Sequence, residues 1–160
     1  MEILKLINNG SKQLKDKNIY SYKLDSEILL SEALNQTREK TLINLNKRIE
    51  PKKINDFYRF IKRRSSKEPI AYILKKKEFW SKNFLVDYNT LIPRPETELM
   101  VEKIVKIFKT KNIFVLDIGT GTGCILLSIL SELKNSKGIG IDISSKAIKI
   151  ASANSKKHKL

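Results

Sequence analysis

Along the first 75 residues, apolar positions recur at helical spacing. Ile3, Leu4, Leu6 and Ile7 open the first such segment, and Gly10 is its expected stop. Ile28, Leu29, Leu30, Ala33 and Leu34 mark a second helix, with Asp25 or Ser26 as the expected N-cap. The stretch TREKTLINLNKRI predicts a shorter third helix capped by Thr37. Pro51 stands at a favoured helix start, and Ile54, Phe57, Tyr58 and Ile61 form one stripe behind it. Stripes of this kind need partners, so the segment predicts a small helical bundle.

Near Pro69 the pattern changes. EFWSKNFLVD (Glu78 to Asp87) is aromatic and β-branched around a polar Ser81-Lys82 pair, which predicts a short hairpin. In LIPRPETELMVEKIVKIFK, two prolines hold Leu91 to Arg94 extended. Pro95 can then open a helix with Met100, Val101, Ile104, Val105 and Phe108 on its apolar face. From Asn112 the period changes again. NIFVLDI is a continuous apolar run, of the kind buried on both faces of a parallel sheet. GTGTG is a turn, CILLSILSEL a helix, GIGIDI a second strand, and SSKAIKIASANSKKH a second helix capped by Ser144 or Ser145. The fold class is thus a helical bundle, a hairpin linker, and one β-α-β-α unit of an α/β domain. The expected divisions are 1–75, 76–94 and 95–160.

Composition narrows the class. A chain of 160 residues that is 41% hydrophobic, in periodic segments, can bury a core. No apolar run reaches the roughly 18 residues of a membrane span. The start MEILKLINNGSK does not read as a secretory signal. Cys124 is the only cysteine, which excludes an internal disulfide framework and any multi-cysteine metal site, and His158 is the only histidine. A cytoplasmic monomer is the expectation. The net charge of +15 has two readings. One is an acidic partner such as RNA, a ribosome or an RNA-associated protein. The other is compositional: Lys outnumbers Arg 26 to 6 in a chain also rich in Ile and Asn, residues that share A/T-rich codons. The densest basic groups, Lys62 to Lys67 and Lys75 to Lys77, lack the interleaved aromatics of a single-strand binding surface, and direct sequence-specific nucleic acid binding is not expected either.

Gly119, Gly121 and Gly123 stand between a buried strand and a helix start. Glycine there permits positive φ and lets a ligand lie against bare backbone, while the helix N-terminus attracts negative charge. No Gly-Lys-Ser/Thr follows, which excludes a P-loop. The dinucleotide fingerprint G-x-G-x-x-G fails as well, because Cys124 follows Gly123. Asp142 closes the second strand, at the position where an acid accepts hydrogen bonds from ribose hydroxyls in doubly wound folds. Its alternative role is a neighbour of the next helix cap. Asp117, two residues before the turn, could receive a ligand's amine or hold the turn's N–H groups. Strand, G-x-G-x-G, helix, strand and terminal acid together indicate a nucleoside-bearing ligand.

VLDIGTGTGCI, GIGIDIS, EPIAYI, EFW and LIPRPETE, from about Glu68 to Asn154, resemble the HemK-type release-factor glutamine N5-methyltransferases. The helical N-terminus agrees with that family's small helical domain. The glycine turn alone points only to S-adenosylmethionine methyltransferases; Pro93 to Glu98 make the resemblance specific. It implies S-adenosylmethionine as cofactor and class 1 peptide chain release factors as protein substrate, methylated on the glutamine of their Gly-Gly-Gln motif. It also implies that Gly119, Thr120, Gly121, Thr122 and Gly123 hold the methionine part, that Asp142 binds the ribose, and that Asp117 lies beside them. Arg94, Glu96 or Thr97 would line the site, unless Pro93 to Glu98 is a structural elbow.

The family's catalytic Asn-Pro-Pro-Tyr is not found, since no proline follows Pro95. In that motif the Asn and a backbone carbonyl would accept both N–H bonds of a poorly nucleophilic amide and turn its nitrogen toward the methyl group. No residue of this sequence takes that role. The expectation is a C-terminally truncated enzyme that is inactive alone. Two other readings compete: a non-catalytic module that docks on a release factor or the ribosome, and a fragment of a nicotinamide-dependent oxidoreductase.

Overall fold

In the computed structural model, which describes residues 1–160, helix α1 runs Ile3–Lys15, straight through Gly10. The glycine is a point of close approach rather than a stop. A Cβ there would lie 2.6 Å from both the Phe57 ring and Ser26 Oγ. Helix α2 spans Tyr22–Leu34, so Asp25 and Ser26 are inside it and neither is its N-cap; Ser21 precedes it instead. Both side chains bond elsewhere. Ser26 Oγ donates to the Ile7 carbonyl at 2.9 Å, and Asp25 accepts from Arg64 Nε at 2.7 Å and Ser21 Oγ at 2.8 Å.

Helix α3 (Arg38–Ile43) is capped as expected, by Thr37 accepting the Lys40 N–H. Helix α4 (Pro51–Ser65) starts at its proline, and a short α5 covers Ile70–Leu74. Ile3, Leu6, Leu14, Leu29, Leu30, Phe57 and Ile61 are fully enclosed in the core of this unit, residues 1–74. Each such side chain contributes about 1.5–3 kcal/mol relative to exposure.

The second unit covers residues 75–160. Strands β1 (Lys76–Phe79) and β2 (Lys82–Leu85) pair antiparallel. Their turn is Trp80-Ser81, one residue before the expected Ser81-Lys82, and both turn residues have positive φ, 50° and 54°. That is the primed hairpin geometry whose twist suits the strands, adopted here without glycine. Phe79 and Phe84 meet edge to face with centroids 6.2 Å apart, in one core with Val101, Leu127, Ile129 and Leu133.

After a 3₁₀ turn at Pro95–Thr97, helix α6 runs Glu98–Phe108. Val101, Ile104, Val105 and Phe108 face the core. Met100 does not: it is 43% exposed, on the side of the helix that also carries the exposed Leu99 and Ile107.

Strands β3 (Phe114–Ile118) and β4 (Lys137–Ile141) pair in parallel register, Asp117 opposite Gly140 and Ile118 opposite Ile141. Helix α7 (Cys124–Glu132) connects them and α8 (Ser145–His158) follows, capped by Ser144 accepting the Ala147 N–H. The expectation of a strand buried on both faces fails. Side chains alternate across a sheet, and α7 covers one face of this one. Phe114, Leu116, Ile118, Ile139 and Ile141 are therefore exposed on the other. On the covered face β4 carries Gly138 and Gly140. A Cβ on the first would meet Leu126 at 2.5 Å, and on the second Thr120 Oγ1 at 2.7 Å. No helix is long and apolar enough to cross a membrane.

Candidate functional site

Five residues, Gly119 to Gly123, carry the chain from β3 into α7. Gly119, Gly121 and Gly123 all have positive φ, at 79°, 56° and 77°. The three are not equivalent. A Cβ on Gly123 would press on Leu127 at 3.2 Å and Ala151 at 3.3 Å, so this glycine serves helix packing. A Cβ on Gly119 would meet no atom within 4 Å. Gly119 thus presents bare, left-handed backbone to open space, which is the property a ligand-facing glycine needs.

The turn is tied down from three directions. The N–H groups of Gly119 and Thr120 both donate to the Ile141 carbonyl, at 2.8 and 2.9 Å. Thr120 is buried against Gly140, and its hydroxyl donates to Asp117 Oδ2 at 2.7 Å. The Gly121 N–H donates to Asp142 Oδ2 at 2.9 Å, while Asp142 Oδ1 accepts the Ser144 N–H at 2.9 Å. Thr122 is buried, and its Oγ1 accepts the Cys124 N–H at 3.3 Å.

The expected residues Asp117, Gly119 to Gly123 and Asp142 therefore come together in one hydrogen-bonded group. Both alternatives for the acids gain content. Asp117 does hold the turn, through the Thr120 hydroxyl rather than through N–H groups. Asp142 is indeed the neighbour of a helix cap, and it also fastens the turn. Its bonds from Ser144 and Gly121 hold its carboxyl below the ordinary value of 3.8, so it is an anion at neutral pH. Burial pushes the Cys124 thiol at the start of α7 up from 9.0, with the Asp117 charge acting in the same direction, so no reactive thiolate sits beside the turn.

A cleft of about 250 Å³ lies beneath the sheet between β4, α7 and α8. Leu126, Leu127, Leu130 and Ile148 line it, with Thr120 and Gly123. Gly119, Asp117 and Asp142 do not, so it is separate from the polar mouth of the turn.

Arg94 and Glu96 are exposed and Thr97 is half-buried. The Thr97 N–H closes the 3₁₀ turn on the Arg94 carbonyl at 3.0 Å. Glu98 gives this segment an anchoring role, because its Oε1 accepts the Trp80 N–H at 2.8 Å. Glu132 Oε1 accepts the indole N–H of the same tryptophan at 2.9 Å.

Sequence reasoning missed Asn154. It is fully buried, and its side-chain amide bonds both Leu85 on β2 and the Thr122 carbonyl in the turn. A signal was present: Ala147, Ala151, Asn154 and His158 share the inward stripe of α8, and Asn is a poor choice for such a position unless it has partners.

Residues 5–74 match the model of the PrmC N-terminal domain, and residues 109–160 match a methyltransferase domain. A release factor glutamine methyltransferase of Buchnera aphidicola subsp. Baizongia pistaciae is 43% identical over 161 residues, covering all of this chain and 58% of that protein. The protein of the same name from Leptospira interrogans is 40% identical over 156 residues, 95% of this chain and 54% of its own. A bifunctional methyltransferase of Rickettsia typhi is 35% identical over 175 residues, 98% of this chain and 34% of its own. The chain thus spans about half the length of most of these relatives and about a third of the bifunctional one. The chain thus joins a segment that matches the PrmC N-terminal domain to one that matches a methyltransferase domain, and over nearly all of its length it is similar to proteins named release factor glutamine methyltransferase.

Proposed function

We propose that the turn from Gly119 to Gly123, with Asp142 and Asp117, binds S-adenosylmethionine, and that the protein to which this chain contributes methylates release factors on the glutamine of their Gly-Gly-Gln motif. The observation that carries the reading is the pairing of Gly119 with Asp142. One presents open left-handed backbone; the other is an anionic, partly exposed carboxylate one hydrogen bond from the same turn.

The donor set fits the cofactor. Gly119 to Gly123 offer bare backbone at a helix N-terminus for the methionine carboxylate. Asp142 supplies the acceptor that ribose hydroxyls require, and Asp117 a second carboxylate for the amine. When bound, S-adenosylmethionine supplies an electrophilic methyl group on a sulfonium centre. Orientation of the glutamine amide belongs, by the family resemblance, to an Asn-Pro-Pro-Tyr motif that these 160 residues do not contain. The present residues are therefore assigned to cofactor binding alone. The helical unit 1–74 is assigned to substrate recognition. The resemblance, rather than any contact in this structure, supports Arg94, Glu96 and Thr97 as lining residues.

Calorimetric titration with S-adenosylhomocysteine and, separately, with NAD tests the reading. Saturable binding of the first and none of the second is expected. Preference for NAD would overturn it in favour of an oxidoreductase.

A further inference from the structure

Asn154 sits at zero exposure between two segments far from it in sequence. Its Oδ1 accepts the Leu85 N–H at 2.7 Å. Its Nδ2 donates to the Leu85 carbonyl at 3.1 Å and to the Thr122 carbonyl at 2.9 Å. The first two bonds copy what a neighbouring strand would offer the free edge of β2. The third grips the glycine turn. A buried amide left without partners is costly, so an Asn at this place is held by all three bonds together.

Other contacts press the same part of α8 onto the hairpin. The His158 ring lies against Phe84 with centroids 4.9 Å apart, and Lys157 Nζ donates to the Asn83 carbonyl at 2.7 Å. Those contacts stop at the hairpin. Asn154 alone among these three side chains also bonds the turn, so it is the point at which the turn's backbone and the hairpin's edge share one side chain.

We propose that Asn154 is a positioning residue that couples the β1–β2 hairpin to the Gly119 to Gly123 turn, so that order at one is transmitted to the other. The functional part of this inference rests on the turn being the S-adenosylmethionine site; the coupling itself does not. Rigid packing alone would let either segment loosen independently. A shared side-chain amide does not, because movement of Leu85 away from Asn154 also removes the partner that orients Nδ2 toward Thr122. Coupling of this kind is reciprocal: a ligand that orders the turn must also order the hairpin edge.

Residue-resolved amide hydrogen exchange on the full chain tests this, with Asn154→Leu and Asn154→Asp compared to the unsubstituted protein. In Asn154→Leu, the Leu85, Gly123 and Cys124 amides should all exchange at least about tenfold faster, while Ile129 in the body of α7 keeps its rate. In Asn154→Asp the acceptor for Leu85 remains and both donors are lost, so Gly123 and Cys124 should speed up more than Leu85. Acceleration at Leu85 alone would make Asn154 a simple hairpin anchor and overturn the coupling. Uniform acceleration through residues 75–160 in both variants would make it a general core residue and overturn the coupling equally. In the unsubstituted chain, S-adenosylhomocysteine should slow exchange at Leu85, and in Asn154→Leu it should not. Slowing at Leu85 that survives in Asn154→Leu would also overturn the coupling. A chain that binds no S-adenosylhomocysteine would sink the cofactor reading and leave the ligand-free rates to decide the coupling.

Discussion

The backbone N–H of Trp80 donates to Oε1 of Glu98 at 2.8 Å, joining the tip of the hairpin to the first residue of α6. Trp80 and Ser81 hold a left-handed turn that non-glycine residues adopt at a cost, and this carboxylate helps to hold them there. Glu98 thereby ties the end of the Pro93 to Glu98 segment to the tip of the hairpin. Glu98→Ala should lower the stability of the 75–160 unit by about 1–2 kcal/mol, the range for a hydrogen bond to a charged acceptor that is partly exposed. Glu98→Gln, which keeps an acceptor, should lose less. Urea unfolding followed by Trp80 fluorescence measures both, and equal losses would contradict the role of the charge.

Two groups in the same unit titrate in separate windows. The folded-state pKa of Asp142 is depressed by N–H donors, so its contribution is present above 3.8 and is lost as pH falls through the lower folded value. The Gly121 amide should therefore stay ordered at pH 4 and loosen only below that. The pKa of His158 is lowered chiefly by burial, with the Lys157 charge adding to it. Its contribution is complete above 6.5 and declines as pH falls from there through the lowered value. Thermal unfolding between pH 7.5 and 5 should show a decline in the native chain that His158→Asn flattens; an unchanged slope would contradict the assignment.

Helix α1 sets two ordinary rules against each other. In an open helix, Gly→Ala is favourable by about 1 kcal/mol. At Gly10 the new Cβ would stand 2.6 Å from Phe57 and from Ser26 Oγ, and overpacking of that kind costs about 1–3 kcal/mol. Gly10→Ala should be net destabilising by circular dichroism melts. A rise in melting temperature would mean that α1 and α4 part at no cost.

What is legible in the sequence follows from what each residue answers to. Helical stripes, the Thr37 and Ser144 caps, and the strand–turn–helix around Gly119 depend on neighbours within a few positions, so local pattern suffices for them. Gly10 reads as a stop because its true reason, Phe57, lies on another helix far along the chain. Asp25 and Ser26 read as caps because their partners, Arg64 and Ile7, also lie on other helices. Phe114, Leu116 and Ile118 read as buried on both faces because an apolar run says nothing of how many layers cover it. In the site, the residues of the turn and Asp142 are legible from spacing. Asn154 is not, since its meaning lies in two backbone segments 69 and 32 residues away.

A ¹⁵N amide titration with S-adenosylhomocysteine tests whether the Gly119 turn and Asp142 form the cofactor site. Saturable shifts centred on Gly119, Gly121, Gly123 and Asp142 are expected. They should be lost in Gly119→Ala, where a methyl group would occupy the open space above the turn while costing the fold only about 1–2 kcal/mol of left-handed strain. Saturable binding whose shifts bypass these residues, or binding that Gly119→Ala leaves unchanged, would contradict that assignment.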